Sequence, residues 1–258
     1  MHEVFAQTLP AVDITQVKCV QGFEKIQAEY PVYLSDESKM SAKPFEYLYF
    51  PKSEEELAAV VREMGRRKIK ITIASARTGL AGGCVPMEGA LVSLEYLDKV
   101  EAIHYEPSSA EWRVVAQNSV SLKALEGMLR TKHFPHLEQS ADERVRCEYL
   151  QFKNDPDGYF YPPDPTEMSA ALGGSVVTNA SGARTYRYGP TRAWVRGIRV
   201  MLANGEILDI PRGKYFASPA GQFVIWDSQG QAFSIPVPDY QQPKTKSAAG
   251  LFAAPQMD

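Results

Sequence analysis

Cysteine is scarce in this chain. Only Cys19, Cys84 and Cys147 occur, scattered through 258 residues. They form neither a zinc-ligand nor an iron–sulfur spacing, so the simplest reading is reduced cytosolic thiols. Histidine is equally sparse, at His2, His104, His133 and His136, and no metal ligand is assigned. No apolar run approaches the length needed to span a bilayer. The first ten residues lack the basic start and apolar core of a secretory signal. Charge of one sign is also missing: the net charge of -3 gives no electrostatic case for nucleic acid. What remains is ordinary for a globular protein, with 44% hydrophobic and 23% charged residues. The length suffices for a large core in one or two domains.

The most unusual stretch runs from Tyr161 to Gly189. Pro162, Pro163 and Pro165 fix φ and push the residues before them to extended forms, giving a stiff arm. Gly173 and Gly174 then remove side chains where the backbone comes close to something. Thr178, Asn179, Ala180, Ser181 and Gly182 form a second run of small residues. Together the two runs leave a flat slot with free backbone N–H groups, suited to a planar ring and a diphosphate. Taken alone, the stretch reads equally well as a turn-rich surface loop.

A second small-residue loop leaves the end of a strand at Ser75-Ala76-Arg77-Thr78-Gly79-Leu80-Ala81-Gly82-Gly83. Such a loop wraps backbone N–H groups around a diphosphate. It matches neither the Walker pattern nor G-x-G-x-x-G. The missing G-x-G-x-x-G turn, with a ribose-binding acid about twenty residues on, argues against a nicotinamide dinucleotide site.

These two segments carry a resemblance. Pro-Pro-Asp-Pro, Gly-Gly, Thr-Asn-Ala-Ser-Gly-Ala-Arg and Arg-Tyr-Gly, in that order, are similar to the second flavin-binding segment of the vanillyl-alcohol oxidase/p-cresol methylhydroxylase (PCMH-type) flavoproteins. The branch most resembled is the FAD-linked 2-hydroxy-acid dehydrogenases: D-lactate dehydrogenase, D-2-hydroxyglutarate dehydrogenase and the glycolate oxidase FAD subunit. The Ser75–Gly83 loop resembles that family's first diphosphate loop, with Ser75 and Arg77 where glycine is usual. If the Arg77 position requires φ > 0, the residue is strained. If not, its guanidinium can lie against the phosphates.

The resemblance implies an α+β, PCMH-type FAD-binding fold of two α/β subdomains. It implies FAD contacts at Ser75, Ala76, Arg77, Thr78, Gly79, Leu80 and Gly82. It implies others at Pro163, Asp164, Ser169, Gly173, Gly174, Ser175, Thr178, Asn179, Ala180 and Gly182. No His lies between Ile69 and Gly89, the region through which some relatives attach flavin, so the FAD is expected to be non-covalent. No catalytic residue is assigned. Arg184, Arg187 and Tyr188 are read as pins of the loop, the alternative being a place near the flavin edge or the substrate carboxylate. The parent reaction is oxidation of a small-molecule 2-hydroxy acid, with electrons passed to a non-oxygen acceptor such as an electron-transfer protein or iron–sulfur subunit. The expected setting is cytoplasmic, or peripheral to the inner membrane through such a partner. The alternative function is a non-catalytic flavin-binding or scaffolding subunit of a multi-chain redox complex.

Around these motifs the chain divides as follows. Residues 1–43 read as a helical arm, with Val12, Val17, Val20, Phe23 and Ile26 near helical spacing and Leu34–Ser38 resembling the family's lead-in. Residues 44–258 form the flavin domain: subdomain one at 44–132, a charged insert at 133–159 and subdomain two at 160–258. In subdomain one, Tyr47–Phe50, the helix capped by Ser53 and Ile69–Ala74 read as strand, helix, strand. Strands follow at Ala90–Leu94, Val100–His104 and Trp112–Ala116, then a helix capped by Ser121. The insert reads as a solvated excursion, or else as a contact surface for a partner. After it, Trp194–Leu202 and Glu206–Ile210 flank an Asn204-Gly205 turn, and Gln222–Trp226 pairs with Ala232–Val237. Lys246–Leu251 resembles the family's Lys-x-Asn-x-Gly-Tyr segment. The relatives' site-completing segment and cap domain come later than that segment. Either the sequence is cut short or a separate chain carries the rest, and this chain alone is expected to lack dehydrogenase activity.

Overall fold

The computed structural model of the protein describes residues 3–163 and 166–239. Asp164 and the Lys246–Leu251 segment lie outside the described residues. In chain order the elements are β1 (Glu3–Phe5), β2 (Gln7–Thr8), β3 (Lys18–Gln21), α1 (Phe23–Glu29), β4 (Tyr47–Phe50), α2 (Glu54–Arg66) and β5 (Ile71–Ala74). Then come β6 (Ala90–Ser93), β7 (Val100–Glu106), β8 (Glu111–Ala116), α3 (Leu122–Thr131), α4 (Pro135–Glu138) and α5 (Glu143–Asn154). The described chain closes with α6 (Leu172–Val177), α7 (Thr185–Tyr188), β9 (Gly197–Met201), β10 (Glu206–Pro211), β11 (Gln222–Trp226) and β12 (Ala232–Pro236). This is the α+β mixture expected from the sequence.

The elements pack as two compact units, each built from separated stretches of chain rather than from consecutive halves. One unit gathers the described residues up to Lys18, Pro51–Ile71 and those from Val195. In it β10 pairs antiparallel with both β9 and β2, and β11 pairs parallel with β1 and antiparallel with β12. Val4, Ala6 and Leu208 form its core with Leu202, Ile210, Tyr215 and Ile225 against them. Ser53 caps α2 by accepting from the Glu56 N–H, and Glu54, Glu55 and Glu56 fill its first turn, where carboxylates favour the positive helix end. The Asn204-Gly205 turn is present as expected. Gly205 has φ +77° and approaches α2 so closely that a Cβ would stand 3.0 Å from the Ala58 carbonyl.

The other unit holds Cys19–Phe50 and Thr72–Trp194. Its four-stranded sheet runs β3-β4-β6-β5, with β4 parallel to β6. Val20, Ile26, Tyr33, Phe45, Leu48, Phe50, Ala74 and Leu91 form one core. The β7–β8 pair and helices α3 and α5 enclose a second, around Ile103, Leu122, Leu125, Phe134, Tyr149 and Phe152.

Two expectations need correction. The N-terminal segment is not a helical arm: it carries three short strands, and only Phe23–Glu29 is α-helical. Val4 is drawn into register with Ile225, and Gly22 at φ +94° separates β3 from α1. Pairing with a distant strand overrides local periodicity. The charged insert is not a solvated excursion either. Asp142 caps α5, and Tyr149 and Phe152 from that helix are fully buried beside Phe134 and Leu137. The charges of α5 lie on its outer side while its aromatic residues complete the core of the unit.

Candidate flavin site

The first loop leaves β5 at Ser75. Among the described residues, none of the backbone N–H groups from Ala76 to Gly83 donates to a protein acceptor. A run of uncommitted donors at a strand end is what a diphosphate requires. Gly79 and Gly83 have open space where a Cβ would stand, and Leu80 is almost fully exposed. Gly82 differs: its φ is +71° and a Cβ there would run into the Met40 sulfur, so its role is conformational. Ala76 and Thr78 are half-buried within the loop.

Arg77 adopts φ +58°. A left-handed backbone costs a non-glycine residue ~1–2 kcal/mol, so the departure from glycine noted in the sequence is a genuine strain. Its guanidinium stands 4.4 Å over the Tyr33 ring and donates through Nη1 to the Ser75 carbonyl at 3.2 Å. Among the described residues it holds no carboxylate. Tyr33 is buried, donates its hydroxyl to Glu95 and lies 3.2 Å from Ser93 Oγ. Burial first, and then Glu95, push the Tyr33 hydroxyl up to about 12.

The lead-in segment closes over the same loop. The Glu37 N–H donates to the Arg77 carbonyl at 3.2 Å. Asp36 accepts from the Ser38 hydroxyl and N–H and from Cys84 Sγ. Burial opposes the charge on Asp36, but these hydrogen bonds outweigh it and hold its carboxyl below the usual range. Burial and the Asp36 carboxylate push the Cys84 thiol up to about 11. The thiolate is the reactive form. Iodoacetamide at pH 8 is therefore expected to alkylate exposed Cys147 and spare Cys84. Peptide mass spectrometry reads this out, and equal labelling of the two would contradict the half-buried, acid-paired thiol.

The second segment is less open than its composition suggests. Gly173 donates its N–H to the Asn118 carbonyl at 2.9 Å, and a Cβ on it would overlap the Asn118 side-chain amide. That glycine is explained by the protein itself. Gly174 is exposed with nothing within 4 Å of its Cβ position, so it offers room for a ligand. Ser175 is buried and donates to the Ala171 carbonyl, which makes it a core residue. The N–H groups of Thr178, Asn179, Ala180 and Gly182 are spent on Gly174, Val176, Ser175 and Thr185. Asn179 sits at φ +47° and its side chain accepts from the Arg192 N–H. Ser169 is exposed and bonded to Glu167, while Pro163 is buried. The continuous run of free donors thus belongs to the first loop, and the second segment contributes an open surface at Gly174. Arg184 lies over the Phe160 ring, 3.9 Å from Glu126, consistent with a pin.

Sequence reasoning missed the connector between these segments. Ser75 Oγ lies 2.6 Å from Ser119 Oγ, and the neighbouring Asn118 holds Gly173. The residues after β8 therefore tie the first loop to α6. The only trace in the sequence is a polar Gln117-Asn118-Ser119 run at a strand exit. Tyr33 and Met40 were likewise invisible as neighbours of the loop. Taken together, free N–H groups, open glycines and a guanidinium with one of its five donors engaged fit a dinucleotide diphosphate.

Comparison with known proteins agrees. The profile of the family described as FAD binding domain matches residues 45–145 and 142–211. A D-lactate dehydrogenase of Anaerostipes hadrus is 36% identical over 170 residues, covering 66% of this chain and 30% of that protein. A D-2-hydroxyglutarate dehydrogenase of Xanthomonas citri pv. viticola is 32% identical over 162 residues, 62% of this chain and 28% of that protein. The chain thus spans less than a third of the length of these curated relatives. Among solved structures, 6-hydroxy-D-nicotine oxidase from Arthrobacter nicotinovorans shares the fold, with TM-score 0.54 and 12% identity over 79% of this chain and 38% of that one. The chain belongs to the FAD binding domain family, with the fold of the vanillyl-alcohol oxidase/p-cresol methylhydroxylase flavoproteins and a sequence related to their 2-hydroxy-acid dehydrogenase branch.

Proposed function

We propose that the protein holds FAD non-covalently and is the flavin-binding part of a dehydrogenase for a 2-hydroxy acid of the D-lactate, glycolate or D-2-hydroxyglutarate type. The observation that carries the binding half is the run of uncommitted N–H groups from Ala76 to Gly83 at the end of β5. These groups cradle the diphosphate, while Gly79 and Gly174 keep side chains out of its way. Bound flavin supplies the hydride acceptor, and the protein contributes binding and orientation. The substrate half rests on the kinship with the D-lactate and D-2-hydroxyglutarate dehydrogenases. The same reading has electrons leave to a non-oxygen acceptor, an electron-transfer protein or iron–sulfur subunit, in the cytoplasm or at the inner membrane face through that partner. Among the described residues no helix is long and apolar enough to cross a membrane.

The test begins with the visible spectrum of the purified protein after incubation with FAD. Acid precipitation is expected to release all the flavin into the supernatant. Anaerobic addition of D-lactate, glycolate and D-2-hydroxyglutarate, with an artificial acceptor for turnover, then asks which acid reduces it. A protein that takes up no flavin refutes the binding half. This chain alone is expected to bind flavin that none of the acids reduces; no reduction even after a second polypeptide carrying the rest of the relatives' length is added would refute the substrate half and favour a scaffolding subunit.

A further inference from the structure

We propose that Arg77 is a diphosphate-binding side chain and that Tyr33 is its positioning residue. The inference deepens the FAD reading and rests on it. Arg77 occupies a left-handed position, φ +58°, that glycine would fill without strain. Among the described residues, only one of its N–H donors is used, on the Ser75 carbonyl, and no carboxylate pairs with it. A guanidinium lying over an aromatic face keeps its edge donors free in a fixed plane, the geometry that suits bidentate contact with phosphate oxygens. Tyr33 provides that face at 4.4 Å. Its own orientation is fixed by burial and by the hydroxyl contacts to Glu95 and Ser93.

Tyr33 precedes the residues that match the family, which begin at 45, so the family match assigns it no role. The pair adds one positive charge, held in place over the Tyr33 ring, to the backbone donors of the loop. Glu95 and Asp36 stand nearby on the protein side, bonded to Tyr33 and to Ser38 and Cys84 respectively, so neither takes the guanidinium. The cation is left available to an anion entering the loop.

The experiment compares wild type with Arg77→Gly and Arg77→Asn, both of which accept the left-handed backbone. FAD, ADP and riboflavin are titrated at low and high salt, and thermal melting is followed in parallel. Losing a charge-assisted contact should weaken FAD and ADP about 10–100-fold, with a shallower salt dependence, while riboflavin binding is unchanged. Arg77→Gly should melt no lower than wild type. Tyr33→Phe should bind FAD as wild type does, because the ring is kept, whereas Tyr33→Leu should lose affinity for FAD and ADP together. Wild-type affinity for FAD and ADP in both Arg77 variants would overturn the inference and leave the FAD reading standing. An equal loss for riboflavin would overturn it too, by showing collapse of the site. A wild-type protein that binds neither FAD nor ADP would bring down the FAD reading and this inference with it.

Discussion

Gly174→Leu is expected to give a folded protein that does not turn yellow. The Cβ position of Gly174 meets nothing within 4 Å and its φ is not left-handed, so the protein itself has room for the side chain. Leucine also favours the α6 helix over glycine by ~1 kcal/mol. A ligand lying over Gly174 is what the new side chain would collide with. Forcing methylene groups into an occupied contact costs ~1–3 kcal/mol, which is about 10–100-fold in affinity. Gly79→Val applies the same logic to the first loop, since Gly79 is equally open. Gly173→Leu is the contrasting control: its side chain strikes Asn118 and should damage the fold directly. The measurements are circular dichroism, melting temperature and FAD titration for each variant. Wild-type FAD affinity in Gly174→Leu would mean that this glycine serves the turn alone and that the flavin lies elsewhere.

The difference between Gly173 and Gly174 shows where the sequence stops being informative about this site. Adjacent glycines look alike in a string of letters. One of them is fixed by a hydrogen bond to Asn118, and the other faces open space. That distinction depends on which residue the fold brings alongside, and Asn118 arrives from the exit of β8. The Ser75–Gly83 loop was legible because its chemistry is backbone chemistry: small residues at a strand end leave N–H groups uncommitted wherever the rest of the chain goes. Arg77 was half legible. Its replacement of an expected glycine left two readings, strain or a relaxed phosphate contact, and the positive φ shows that the backbone is strained, but nothing local pointed to Tyr33. In the second segment, the small residues suggested free donors that the structure spends on its own turns at Thr178, Asn179, Ala180 and Gly182.

The fold divides along the same line. Hairpins such as β9–β10 were readable because the Asn204-Gly205 turn and the alternating flanks are local, and the observed register follows them. The cap of α3 at Ser121 was readable for the same reason. β1 was not, since three residues become a strand only when β11 lies beside them. The two compact units are discontinuous in sequence, so no scan for linkers along the chain could find them.

Phe152→Ala is expected to be strongly destabilising, and it decides what residues 133–159 are. If the stretch were a solvated excursion, shortening any of its side chains would cost less than about 0.5 kcal/mol. Instead Phe152 is fully buried, with ring centroids of Trp112 at 5.2 Å, Phe134 at 5.7 Å and Tyr159 at 5.2 Å. Removing the ring opens a cavity among Trp112 of β8, Phe134 just before α4 and Tyr159 at the end of the insert, and such losses run to ~3–5 kcal/mol. Against a typical total of ~5–15 kcal/mol, that is enough to unfold a marginal domain. Trp112 also donates to Asp155 at the end of α5, so the helix is latched by a polar contact as well as by packing. Leu150, two residues away and half exposed on the same helix, supplies the control: Leu150→Ala should be near neutral. Urea denaturation of the two variants, with limited proteolysis of α5, separates the cases. Equal and small effects would mean that α5 is dispensable to the core, whereas a large loss confined to Phe152 makes the helix part of the scaffold that holds β7 and β8, and through Asn118 and Ser119 the flavin loops.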